Sequence, residues 1–177
     1  MPHNNSTEVA CYRPSVLLQQ GRVAGPLPGL EGVMEKAMIA AANGDAHAVA
    51  AWLDEGGGVD ARCAERKDGT LLMEAAAGGQ EAIVRMLLQR GASVNLQGFI
   101  GVTALMVAAA NGHATIVQAL LDAKADASLQ NTHGTTALMV AEHCKHTAAA
   151  QVLRQHAKRQ AVEAAHIALN QIPNPNP

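Results

Sequence analysis

Aromatic residues are almost missing: one Trp, one Tyr and one Phe, 2% of a 177-residue chain that is 49% hydrophobic. Any core must therefore be built from Ala, Leu, Ile, Val and Met. That suits close stacking of helices, because Ala lets backbones approach and loses no side-chain entropy. Charge of one sign is lacking too. A formal net charge of −2 offers no electrostatic attraction for nucleic acid or an anionic membrane, so neither is expected as a partner. No apolar run approaches the roughly 20 residues that span a bilayer, and the opening MPHNNSTEVACYRP lacks the basic-then-apolar layout of a secretory leader. Cys11, Cys63 and Cys144 are odd in number and far apart, which implies no disulfide framework. Thiols without such a framework point to a reducing compartment, hence an intracellular protein, cytoplasmic or nuclear. The overlapping sequons at Asn4 and Asn5 are read as chance on that basis. Catalytic signatures are missing as well. There is no G-x-S-x-G and no G-x-x-x-x-G-K, and Gly56-Gly57-Gly58 lacks the lysine and strand context of a phosphate loop. No enzyme activity and no cofactor are expected.

What the chain does have is a period. Thr70, Thr103 and Thr136 are spaced by 33 residues, as are Leu72, Leu105 and Leu138, then Met73, Met106 and Met139, then Ala75, Ala108 and Ala141. Ile83-Val84 returns as Ile116-Val117 and weakens to Ala149-Ala150; Leu87-Leu88 returns as Leu120-Leu121. A fixed interval in this range marks a repeat array, in which each unit buries its apolar face against its neighbours.

The residues that recur carry a resemblance. TALMVAAANGHATIVQALLDAKADAS resembles an ankyrin repeat, matching its pattern at Thr103, Leu105, Ala108, Ala109, Gly112, His113, Ile116, Val117, Leu120 and Leu121. The likeness runs over roughly residues 31 to 158. It implies an all-α solenoid of about four stacked helix-turn-helix repeats joined by β-hairpin-type loops. Residues 1–29 read as a tail, 30–158 as the array (about 30–60, 65–97, 98–130 and 131–158), 159–172 as a helical extension and 173–177 as a Pro/Asn tail.

Along the chain, the departures from the pattern are informative. Repeat one has Glu35 at the threonine place, which suits a terminal unit with a soluble outer face. Trp52, at the first place of the Leu-Leu pair, reads as core filler. The loop from Asp60 to Thr70 is two residues longer than its counterpart from Asn95 to Thr103, and the extra length is charged: Arg62, Glu65, Arg66, Lys67, Asp68. Such an insertion is either a solvated tip or a binding finger. Gly91 ends the second helix of repeat two; Lys124 replaces it in repeat three, so that helix end is expected to be less sharply fixed. In repeat four His143-Cys144-Lys145-His146 loses the turn glycine, and Arg154 stands where Leu88 and Leu121 stand, as suits an outer face that meets water. Nothing stops the last helix at Ala157-Lys158. Val162, Ala165, Leu169 and Ile172 continue an apolar stripe, so the helix is expected to reach about Asn170 before Pro173, Pro175 and Pro177 end it.

The family's usual histidine after threonine-x-leucine is Met73, Met106 and Met139 here, which are expected to pack between stacked helices. His133, His143, Cys144 and His146 cluster around one repeat and define the alternative function, a small metal-binding or thiol-active protein, although their spacing matches no zinc pattern. The resemblance implies instead a protein-protein interaction module, an adaptor or inhibitor, monomeric by itself, gripping another protein with its concave face and hairpin tips. The family's contact places fall on Arg66, Lys67, Gly69, Ala77 and Gly78, then Phe99, Ile100, Val102, Ala110 and Asn111, then Thr132, His133, Thr135, His143 and Cys144. Phe99 and Ile100 stand out on physical grounds, because a tip should be polar and buried aromatic anchors dominate interface energies.

Overall fold

Eight helices, taken two at a time, build the computed structural model, which describes residues 31–63 and 68–170. The expected tails at 1–29 and 173–177 lie outside the described residues, as does Ile172. In chain order the pairs are α1 (Glu31–Asn43) with α2 (Ala46–Asp54), α3 (Leu71–Ala77) with α4 (Glu81–Gln89), α5 (Ala104–Ala110) with α6 (Ala114–Asp122), and α7 (Ala137–His143) with α8 (Thr147–Asn170). The first helices stack in one row, α1 on α3 on α5 on α7, and the second helices in another, α2 on α4 on α6 on α8. Strands β1 (Arg62–Cys63) and β2 (Gly69–Thr70) form the hairpin between the first two pairs, with Arg62 opposite Thr70 and Cys63 opposite Gly69.

Local chemistry sets where the helices begin. Thr70, Thr103 and Thr136 sit in extended backbone and accept, on Oγ1, the amide of Met73, Met106 and Met139 at 3.3, 3.3 and 3.4 Å. Each cap satisfies one of the four amides that a helix start leaves without a partner, worth about 1 kcal/mol. Asp45 caps α2 in the same way, accepting from the Ala48 amide at 3.0 Å.

The first helices are only seven residues long in the inner pairs, and in α3 and α5 every residue is buried. Ala fills half of these places, which lets the helices stack closely. Ile83, Val84 and Leu87 on α4, Ile116, Val117 and Leu120 on α6, and Leu153 on α8 close the core from the second row. Each such aliphatic burial contributes about 1.5–3 kcal/mol. Trp52 is half-buried against this core and lies so close to Gly57 that a Cβ there would meet its ring at 2.4 Å, as expected of a filler. Glu74 is fully buried in α3, at the place Val107 and Val140 hold in later repeats.

The turns between paired helices interlock with the repeat before. His113 lays its ring over Gly79, where a Cβ would come within 2.8 Å, and its Nε2 stands 3.3 Å from the Ala77 carbonyl. His146 covers Gly112 in the same manner. Gln80 takes that place one repeat earlier, donating to the Ala42 carbonyl at 3.2 Å. Each turn is thus clamped by the next.

Two expectations need correction. Lys124 does not loosen its helix end: it adopts φ +68, the left-handed geometry of Gly91, and its amide reaches the Leu121 carbonyl at 3.0 Å as Gly91 reaches Leu88 at 3.1 Å. The hydrogen bonds of the helix end and the following chain hold the backbone there despite the Cβ. Lys145 likewise takes φ +61 in place of the lost turn glycine. The methionine row is also incomplete. Met73 and Met106 are 3% exposed, but Met139 is 53% exposed, because among the described residues no further repeat packs on α7. At that open end Arg154 and Glu142 pair at 2.6 Å, and α8 continues to Asn170 as expected.

Candidate partner-binding surface

Three loops leave the array side by side, and each is braced by the one before it. Arg62 donates from Nη1 to the Gln97 carbonyl at 2.9 Å. Gln97 in turn donates from Nε2 to the Gln130 carbonyl and to the Gly101 carbonyl, both at 3.2 Å. These residues recur at the repeat interval, once the two-residue insertion is allowed for, so the period itself was the signal for them. A second row runs beneath: Asp60 accepts from the Ser93 amide and Asn95 from the Asp126 amide, each at 2.8 Å.

The middle tip is a single turn of 3₁₀ helix, Phe99–Gly101. The Gly98 amide closes it onto the Val102 carbonyl at 2.9 Å. Within it Ile100 has φ 54 and ψ 22. A β-branched residue in left-handed backbone is an outlier that persists only where the surroundings over-determine it. Here the Thr132 amide donates to the Ile100 carbonyl at 2.9 Å, and Gly101 packs so tightly that a Cβ would lie 3.1 Å from the Asn131 Cα. Asn131, 6% exposed, fixes the third tip by accepting from the His133 and Thr135 amides at 3.0 and 2.9 Å. On this rigid edge Phe99 stands out, 55% exposed, while Ile100 is half-buried.

The contact places named from the sequence divide into two groups. Phe99, Thr132, His133 and His143 are exposed, and Ile100, Val102, Asn111, Thr135 and Cys144 are half-buried. Ala77 and Ala110, each 6% exposed, and Gly69 are buried, so they offer a partner almost no side-chain area. Gly78 is half-buried against α1, where a Cβ would stand 2.0 Å from the Ala42 carbonyl; it serves helix packing. Arg66 and Lys67 lie outside the described residues. Asn111 turns its amide inward to the Val107 carbonyl at 2.9 Å.

The metal alternative does not assemble. Among the described residues, no group of three or more His, Cys, Asp or Glu side chains is placed to hold a metal ion. His146 faces the preceding repeat across Gly112, whereas His143 is exposed at the end of α7, and the four residues do not converge. Among the described residues, two carboxyls have displaced pKa values. Glu81 is lowered first by its hydrogen bond with Arg85 and then by Thr115, and Asp126 by the hydroxyl and amide of Ser128. Both belong to the second helices and the segment after them. No helix among the described residues is long and apolar enough to cross a membrane.

Comparison with known proteins agrees with this geometry. A family model described as ankyrin repeats (3 copies) matches residues 37–131 and again 98–164, together well over half of the chain. No curated protein matches it. Ankyrin repeats are generally protein-protein interaction modules and are typically non-enzymatic. On the recurring threonine caps, the stacked helix pairs, the braced hairpin loops and this match, the chain belongs to the ankyrin repeat family.

Proposed function

We propose that this protein is a non-enzymatic intracellular adaptor or inhibitor that binds one partner protein along its hairpin edge, with Phe99 as the anchor. The observation behind this reading is the exposed Phe99 on a tip whose backbone is strained at Ile100 and braced by both neighbouring loops. A rigid tip loses little conformational entropy when it docks, so more of the contact energy appears as affinity. An apolar pocket on the partner, rimmed by hydrogen-bonding groups, fits a lone aromatic side chain flanked by Thr132 and His133.

Affinity capture from the source cell, comparing the wild type with Phe99→Ser, tests the reading. A lost anchor costs about 2 kcal/mol, on the order of thirtyfold in Kd. Phe99 is exposed, so the thermal midpoint should barely move. A partner that binds the folded Phe99→Ser protein with undiminished affinity rules out this edge as the contact.

A further inference from the structure

Both ends of the stack show side chains that the inner repeats bury. At the α7–α8 end Met139 is 53% exposed, where Met38 is 0% and Met73 and Met106 are 3%. At the α1–α2 end Ile39 is half-buried, where Glu74, Val107 and Val140 are 0, 2 and 5% exposed. These are the two sides of one contact, because inside the array each first helix packs on the next. The array also sets the register of that contact. Gly78, the equivalent of Asn43, lies on Ala42, and the clamps Gln80, His113 and His146 lie on Gly44, Gly79 and Gly112. Each unit therefore meets the one before it one position short of its own equivalent.

We propose that the α7–α8 end of one copy receives the α1–α2 end of a second copy, stacked head to tail as if it were a fifth repeat. Continuity with the array is the first argument. In the array's register Ile39 of the incoming copy, the equivalent of Val140, lies on Met139, so an apolar side chain covers the one left open. Charge and size are the second, and both fall at the turn. Asp45 holds the clamp place in the first repeat and Lys145 the glycine place in the fourth, and both are exposed. Stacking brings the carboxylate to the ammonium. A Cβ at Gly44, Gly79 or Gly112 would come within 2.7, 2.8 or 2.5 Å of its Gln or His clamp. Asp45 is the shortest of the four clamps, as the Cβ of Lys145 requires. It caps α2 through Oδ1, at 3.0 Å from the Ala48 amide, and has its other oxygen for Lys145. Like ends brought together lack this match. Two α7–α8 ends leave Lys145 only Glu142, which Arg154 already holds at 2.6 Å, and two α1–α2 ends bring Asp45 no turn lysine. Stacking also desolvates the Glu142–Arg154 pair, so the association is weak and concentration-dependent. Because the two surfaces differ, the contact is heterologous and passes from copy to copy without closing at two. It departs from the monomer expected from the sequence.

The test is sedimentation equilibrium of the full chain between about 1 and about 500 µM, the range in which weak interfaces associate. The mass should rise from one 18.3 kDa chain through twice that value and beyond. Lys145→Glu, which keeps the Cβ, and Asp45→Asn, which keeps the cap, should each weaken association roughly tenfold with the thermal midpoint little changed. Met139→Glu and Ile39→Glu should each remove it. Mixed in equal amounts, those two variants should form a one-to-one complex and nothing larger, because each retains the end that the other has lost. A constant one-chain mass for the wild type overturns the proposal. So does a wild-type assembly that stops at two copies, association indifferent to both charge changes, or a mixture of the two folded Glu variants that stays at one chain.

Discussion

Replacing Lys124 by glycine should stabilise this protein, although it removes a side chain and a charge. Lys124 holds φ +68 at the end of α6, where Gly91 holds φ +85 at the end of α4, and both amides make the same helix-closing bond. A side chain in that backbone region costs about 1–2 kcal/mol. Glycine removes that cost but adds unfolded-state freedom worth about 0.5–1 kcal/mol. The net gain should be about 0.5–1 kcal/mol, or roughly 1–4 °C in thermal midpoint for a chain of this size. Little else changes, since the Lys124 side chain is exposed and its carbonyl, which accepts from Asn95 at 3.5 Å, remains. The assay is a pair of melts, thermal and urea, on Lys124→Gly and Lys124→Ala. Alanine keeps the Cβ and removes the charge, so it should gain nothing. If both variants gain equally, the charge and not the backbone was responsible; if Lys124→Gly loses stability, the argument fails. Lys145→Gly should add a similar, independent increment, because its φ of +61 belongs to a separate turn.

Other consequences are open to direct measurement. Gly78→Ala should destabilise by about 2 kcal/mol, since its Cβ would collide with the Ala42 carbonyl and must push α1 from α3; a urea midpoint unchanged from wild type would contradict that packing. Asp126 has its folded pKa lowered by Ser128, so its contribution is complete above the unfolded carboxylate range, near 3.9, and is lost as pH falls through the lower folded value. Asp126→Ala should therefore melt below wild type at pH 7 and converge with it in acid; a gap constant across pH would refute the assignment. Arg154→Leu combined with Glu142→Ala should uncover an apolar face beside Met139 and promote self-association, read as concentration-dependent light scattering.

The sequence by itself determined the helix pairs, because what builds them is local. A threonine cap, a short apolar run, a turn and a second amphipathic helix are specified within about 30 residues and are restated at each interval. Phe99 was legible as an anomaly for the same reason: an aromatic side chain at a turn departs from the expected polarity whatever surrounds it. Only the tertiary structure decided the rest. Met106 and Met139 occupy the same place in identical ALMVA runs, yet one is buried and the other open, because burial belongs to the neighbouring repeat and not to the residue. Ala77 and Ala110 were named as contacts and lie buried for that reason too. The left-handed backbone at Ile100, Lys124 and Lys145 contradicts side-chain preference and arises from hydrogen bonds within and between the repeats, which outweigh a local penalty of about 1–2 kcal/mol. Preferences within one repeat could be read from its residues; what one repeat imposes on the next required the stack.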